Sequence, residues 1–326
     1  LQFIQKFIPK FFTLGGELSG SFHLKGIPAN TQFTYDFDVQ NGLFDSIELG
    51  HVFGNGSYDG RRIFVKKVEA THPDGKITAQ GSVPFDFNIN SPSIGRLFPG
   101  DSLDFHALAQ MGSLPFLTPY IEDLDSVRGD MDISLSLTGP VESIQRSGHI
   151  KVKNGKIYTL LTTDPATSVE GEAFLNHNQL VIQDLVTTLY HSNGKYPKPK
   201  KQNTTLSGSI DFTQFFNPGY DLHLKGKEAS FKALYLDITG QSNVDVTISG
   251  RDTIIIAGTI ESLDANIFYE FTTEEMGTAL PRETGTVMSY QLNIPIRGTA
   301  LFQNSQIDAV VTGEMSISQI GHQEMD

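Results

Sequence analysis

From residue 129 to residue 139 the chain reads Gly-Asp-Met-Asp-Ile-Ser-Leu-Ser-Leu-Thr-Gly, a glycine-bounded stretch in which apolar and polar positions alternate strictly. Successive side chains of a strand point to opposite faces. Met131, Ile133, Leu135 and Leu137 therefore share one face, and Asp130, Asp132, Ser134, Ser136 and Thr138 the other. The design recurs at 17–26, 77–89 and 243–250, and further strand patterns run over 18–24, 33–39, 47–53 and 62–69. Together they predict a sheet with one apolar and one wet side. Turn residues divide the strands at Pro28-Ala29-Asn30, Asn41-Gly42, Gly54-Asn55-Gly56 and Pro73-Asp74-Gly75.

Two stretches break the alternation. Leu1, Phe3, Ile4, Phe7 and Ile8 recur at helical spacing and stop before Pro9, which predicts an amphipathic helix within 1–13. It packs against the sheet or caps its end, or else docks on a membrane through its apolar residues. Between 93 and 128 the period of two lapses, and 114–124 reads as short helical turns. The division expected is a helix at 1–13, a β-segment at 14–92, a helical bridge at 93–128 and a second β-segment at 129–326, all one continuous groove. The proline-rich, basic stretch 193–201 reads as a solvated excursion.

Sliding the chain on itself gives a weak internal repeat with a period of roughly 110 to 115 residues. Residues 16–26 fall on 129–139, Asn41-Gly42 on Asn154-Gly155, and 77–87 resembles 204–212. Repetition of this kind favours growth by adding strands.

Composition narrows the partners. At 326 residues the chain is long enough for one large all-β domain or two smaller ones. A net charge of −13 with only 24 Lys and Arg argues against nucleic acid and for neutral, apolar or basic partners. There is no cysteine, so neither disulfides nor thiolate metal sites are available. No apolar run approaches the roughly 20 residues of a membrane-spanning helix. The first twelve residues make a poor signal peptide, and the opening without Met, inside an apolar pattern, is that of a stretch of something longer.

Catalytic chemistry finds little support. Nine histidines are scattered singly, and no two take metal-ligand spacing on one helix. Residues 36–42 begin like a calcium loop, but glycine comes one place late and Ile47 stands where a bidentate Glu is required. Alternation already explains Asp36 and Asp38 as the wet face of a strand. The glycine-rich 54–60 has neither the spacing nor the following helix of a dinucleotide loop, and there is no Gly-x-Ser-x-Gly elbow. We expect no enzyme, no metal and no cofactor.

A family resemblance enters through the order of several motifs. Leu114-Pro115-Phe116-Leu117-Thr118-Pro119-Tyr120, leading into Val127-Arg128-Gly129-Asp130-Met131-Asp132, is followed by Ser147-Gly148-His149-Ile150 and Val169-Glu170-Gly171-Glu172. Near the end come Leu292-Asn293-Ile294-Pro295-Ile296-Arg297 and Phe302-Gln303-Asn304-Ser305-Gln306-Ile307-Asp308. From about Gly15 to Ile317 the chain resembles the TamB family of translocation and assembly module proteins, within the AsmA-like superfamily. The resemblance implies an all-β fold, an elongated sheet curled lengthwise into a hydrophobic groove (a β-taco), with a few short helices. It also implies a periplasmic parent protein anchored in the inner membrane and reaching toward the outer membrane. Its function would be bridge-like transport of phospholipids, with a part in outer-membrane protein assembly through a TamA-like barrel partner.

Acyl chains need no hydrogen bonds, so an apolar trough would hold them without specificity. The candidate lining residues are Phe22, Leu24, Phe33, Tyr35, Phe37, Ile77, Val83, Phe85, Phe87, Met131, Ile133, Leu135, Leu137, Ile210, Phe212, Val244, Val246, Ile248, Leu292 and Ile294. Three rival readings share the alternation. An adhesive β-solenoid or passenger-like domain would show regular coils of about 20 to 25 residues. A carbohydrate-active β-helix would use scattered carboxylates, and a transmembrane barrel would show strands of about 9 to 11 residues with aromatic girdles.

Overall fold

The computed structural model describes residues 14–27, 30–44, 47–86, 100–114, 124–159, 162–192, 197–214, 217–233, 238–268 and 287–319. The helix expected within 1–13 lies outside them, as does most of 114–124. Among the described residues the fold is all-β, with one short 3-10 turn at Val141–Ser143. The strands are β1 (Leu14–Ile27), β2 (Asn30–Phe44), β3 (Ile47–Asp59), β4 (Arg62–His72), β5 (Gly75–Pro84), β6 (Ser102–Ser113), β7 (Leu124–Pro140) and β8 (Gln145–Thr159). They continue as β9 (Ala166–Asn176), β10 (Gln179–Thr188), β11 (Thr204–Asp211), β12 (Gly219–Ala233), β13 (Ile238–Gly250), β14 (Thr253–Phe268), β15 (Val287–Gln303) and β16 (Asp308–Gln319). They form one 16-stranded sheet in chain order, with β1 and β16 as its unjoined ends rather than closed on each other. Neighbours in sequence thus become neighbours in space, the arrangement that tight connections favour. Most pairs are antiparallel; β14 and β15 run parallel.

The chain divides into two compact units whose boundary crosses β7, β8 and β9. The first holds β1 to β6, β7 from Arg128, β8 to Lys151 and the end of β9 from Phe174; the second holds the remainder.

Three local expectations change. The 93–128 bridge contains a full strand, β6, and the start of β7. In β6, Leu103, Phe105, Ala107 and Ala109 alternate with exposed Asp104, His106, Leu108 and Gln110. The two alanines and the outward Leu108, which is 59% exposed, mute the contrast. Asn41-Gly42 is not a turn but a bulge inside β2, with Asn41 at φ 52 and the register shifting between Val39 and Gly42. Gly54-Asn55-Gly56 is likewise interior to β3; the chain reverses later, at Gly60 and Arg61. The turn at Pro73 and Asp74 stands where the residues place it. The strand expected to run to Ile89 ends, in the described part, at Pro84.

The internal repeat has a structural counterpart of six strands. β1 matches β7 in carrying positive-φ glycines at both ends, Gly16 and Gly26 against Gly129 and Gly139. β2 matches β8 in an Asn-Gly pair whose asparagine has positive φ, Asn41 at 52 and Asn154 at 51. β4 and β10 each hold one extra residue in mid-strand, directly after the residues that pair with the positive-φ glycines Gly81 and Gly208. Bulges bend a sheet, and these recur at equivalent places. In the second unit the shifts of β12 to β16 fall side by side, between Gly226/Ala229, Gln241/Ser242, Ser262/Asp264 and Ile296/Ala300. Small buried residues fill that crease: Ala229, Ser242, Ser262, Ala265 and Ala300 are at most 4% exposed.

Candidate functional site

Cross-strand register decides which apolar residues share a surface, because directly paired residues point to the same side of a sheet. In the first unit three rows run across seven strands without interruption, and a fourth runs across five. One joins Phe22, Tyr35, Gly56, Val65, Gly81, Phe105 and Leu137. The next joins Gly20, Phe37, Gly54, Val68, Ala79, Ala107 and Leu135. A third joins Leu18, Val39, Val52, Ala70, Ile77, Ala109 and Ile133. The fourth joins Leu24, Phe33, Tyr58, Ile63 and Val83, and beyond the end of the β5–β6 pairing Leu103 faces Gly139. Met131 extends the surface opposite Met111. None of these positions is an acid, a lysine or an arginine.

The second unit repeats the arrangement. Leu185, Leu206, Leu224, Val246, Gly258, Leu292 and Ile317 form one row, and Ile182, Gly208, Leu222, Ile248, Ile256 and Tyr290 its neighbour. Ile210 pairs with Leu180 and Tyr220, Val244 with Ile260, and Ile294 with Met315.

Of the candidate lining residues, Phe22, Leu24, Phe33, Tyr35, Phe37, Ile77, Val83, Met131, Ile133, Leu135 and Leu137 thus share one face in the first unit. Ile210, Val244, Val246, Ile248, Leu292 and Ile294 share one in the second. Phe85 and Phe212 lie just past the ends of β5 and β11, held by backbone N–H bonds to Arg61 O (2.9 Å) and Asn178 O (2.6 Å), so strand alternation does not place them. Phe87 lies outside the described residues. The alternation pointed to too few members: the whole inner set of β6 was missed, and so were Leu222 and Leu224. The signal for those two was present, since Asp221-Leu222-His223-Leu224-Lys225-Gly226 copies Ser21-Phe22-His23-Leu24-Lys25-Gly26 almost residue for residue.

Burial grades along the face. Phe22 and Leu24 on the end strand are 59% and 64% exposed, Phe33 is 9% and Met131 2%. Between these extremes most of the face is half-buried. Phe33 lies between Phe22 and Tyr58, with ring centroids 4.6 and 4.9 Å away. Gly54 and Gly56 allow this surface to lie flat, because the rings of Phe37 and Tyr35 lie over the places their side chains would take. Burial raises the Tyr35 phenol above its ordinary pKa, and its hydroxyl donates to Phe64 O.

The opposite face is polar and cross-linked by side chains. His51 Nε2 lies 2.6 Å from Asp38 Oδ2, His106 bridges Asp104 (2.9 Å) and Ser136 (2.8 Å), and His223 lies 2.5 Å from Asp245. Glu69 sits between the Lys67 and Lys76 ammonium groups, each at 2.8 Å. The histidines expected to stand alone therefore largely have carboxylate neighbours. Hydrogen bonding lowers the pKa of three acids here: His51 acts on Asp38, His223 on Asp245 and Lys67 with Lys76 on Glu69. Asp211 is lowered first by Thr213 and then by Arg251. Acids depressed in the folded state add stability that is present above their unfolded pKa and is lost as pH falls through the folded values. The melting temperature is therefore expected to hold between about pH 7 and pH 5 on this account and to drop below about pH 4. Melting curves across that range check it, and Asp38→Asn should flatten the acid limb; an acid limb the substitution leaves unchanged would rule out the His51 contact as a contributor.

Among the described residues no group of three His, Asp or Glu is placed to hold a metal ion, and no helix is long and apolar enough to cross a membrane. The site these residues build is a surface with continuous apolar rows on one side and paired polar side chains on the other. No protein-family model, curated protein or solved structure matches the chain.

Proposed function

We propose that the apolar face carries phospholipid acyl chains, and that the chain is a segment of a periplasmic, bridge-like lipid transport protein acting between inner and outer membranes. The observation that carries this reading is the set of three uninterrupted rows across seven strands, free of acids, lysines and arginines and left half-buried. A sheet folded to make its own dry core closes such residues off from solvent. A half-open face retains apolar area whose transfer out of water yields about 25 cal/mol per Å² to whatever covers it. Acyl chains suit it because successive rows offer no hydrogen-bonding group that would hold a ligand at one place. The resemblance to the TamB family supports the same reading, together with an inner-membrane anchor and a TamA-like barrel partner as further parts of the proposal. The role is transport, without a catalytic step.

The test is purification of the chain from bacteria with a photocrosslinking amino acid at Leu135 or at Ser136, followed by mass spectrometry of the adducts. Leu135 lies in the apolar rows and Ser136 beside His106 on the polar face. Phospholipid adducts are expected from Leu135 and not from Ser136. Equal labelling from both positions, or none from Leu135, would end the lipid reading.

A further inference from the structure

One strongly basic patch has no part in the apolar rows. Lys198, Lys200 and Lys201 are exposed on the segment that leads from β10 into β11, interleaved with Pro197 and Pro199. Lys227, also exposed, joins them from β12, where its N–H donates to Asn203 O at 2.8 Å. Four cations in one region, none of them ion-paired among the described residues, are unusual for a chain of net charge −13. Lys67 and Lys76, by contrast, both hold Glu69. Here the adjacent acid is Glu228, whose N–H is taken by Asn243 Oδ1. Asp164, at the other foot of the segment, accepts from His191 Nδ1 and from the Ser192 N–H and hydroxyl.

The end of the segment is anchored through Asn203. The Asn203 side chain donates to Leu189 O (3.0 Å) and Lys227 O (2.9 Å) and accepts from Leu189 N–H (2.9 Å), while its own N–H reaches Thr187 O (3.0 Å). One asparagine thus ties the end of β10 to the bulge of β12 and fixes where the lysines emerge. The prolines stiffen that exit by restricting φ and favouring extended backbone. The lysines stand at the strand ends, next to Thr204 and Gly226, the pair that begins the apolar face on β11 and β12. Cations at the margin of an apolar face match the layering of a phospholipid surface, with phosphate outside and acyl chain inside.

We infer that Lys198, Lys200, Lys201 and Lys227 form a docking site for an anionic phospholipid surface. The attraction is electrostatic, so added salt weakens it. The chain's remaining negative charge is screened beyond about 10 Å at 0.1 M salt and does not cancel a local patch.

The test uses the full chain in flotation with vesicles of phosphatidylcholine alone or with about one-third phosphatidylglycerol, at low salt and at about 0.5 M salt. Binding is expected to the anionic vesicles only, and to be lost at high salt. The triple variant Lys198→Glu, Lys200→Glu, Lys201→Glu should bind the anionic vesicles at least about a hundredfold more weakly, at roughly fivefold per lysine removed. Its melting temperature and its lipid adduct from Leu135 should match the parent, which separates failure here from failure of the acyl-chain reading. Absence of binding by the parent, equal binding of neutral vesicles, or undiminished binding by the triple variant would each overturn the inference.

Discussion

Ile133→Asp combined with Leu135→Asp is expected to abolish phospholipid adduct formation at neighbouring apolar positions and to block transport in a reconstituted or cellular assay. The two residues occupy adjacent rows that extend without a charge from β1 to β7. A carboxylate among acyl chains loses its hydration without gaining a partner, at several kcal/mol each. Ser134→Asp with Ser136→Asp adds the same charge two residues away on the polar face, where water remains, and should leave both readouts near the parent. Leu135→Ala alone should do little, because a surface made by many rows does not depend on one side chain. The melting temperature of each variant distinguishes a blocked face from an unfolded one. If the double apolar variant stays folded and still transports lipid at the parental rate, the face is not the path.

Gly56→Val should cost the first unit about 3 kcal/mol, at the upper end of what overpacking brings. A Cβ at this place would collide with the Phe64 carbonyl oxygen and with the Tyr35 hydroxyl and ring. Backbone cannot yield without disturbing the pairs on both sides of β3, and the Tyr35 ring cannot rise without losing its place beside Phe33, 6.3 Å away between centroids. Gly100→Ala is the control: a Cβ there meets nothing within 4 Å, and its effect should stay within about 0.5 kcal/mol. Denaturant unfolding of both variants measures the difference. A Gly56→Val midpoint as close to the parent as that of Gly100→Ala would show that the rings do not depend on the glycine.

These glycines also show how far local residues inform structure. Asn41-Gly42 and Gly54-Asn55-Gly56 carry the residue types of turns, and the reading that follows from them is reversal. Bulges and turns draw on the same left-handed backbone freedom, so composition alone does not separate them. What separates them is the partner strand: Val39 faces Val52 and Gly42 faces Gly50, so β2 continues past its bulge. Gly54 and Gly56 stay in β3 because Phe37 and Tyr35, from a different strand, lie over them. β6 was obscured for the opposite reason. Its inward alanines are too small to announce a strand, yet they fit beside Ile77 and Ala79 once β5 is in place.

The histidines follow the same logic. Each is isolated in the sequence, and nothing local pairs His51 with Asp38 or His223 with Asp245. Antiparallel register brings them together from positions 13 and 22 residues apart. Likewise Lys227 comes beside the stretch 198–201 through the pairing of β11 with β12 and the hydrogen bonds of Asn203.

By itself the sequence determined the all-β class, the two-sided character of the strands and a first part of the apolar face, because side-chain direction in a strand follows from a period of two and needs no partner. The repeat was equally visible in its spacing. Tertiary structure alone decided that the rows line up across β1 to β7 without a break, since register is set between strands, and a one-residue slip would have turned each strand's apolar set to the wet side. It also decided where the sheet creases, through bulges that coincide on neighbouring strands, and how much of the apolar face stays half-buried, which depends on what each row packs against.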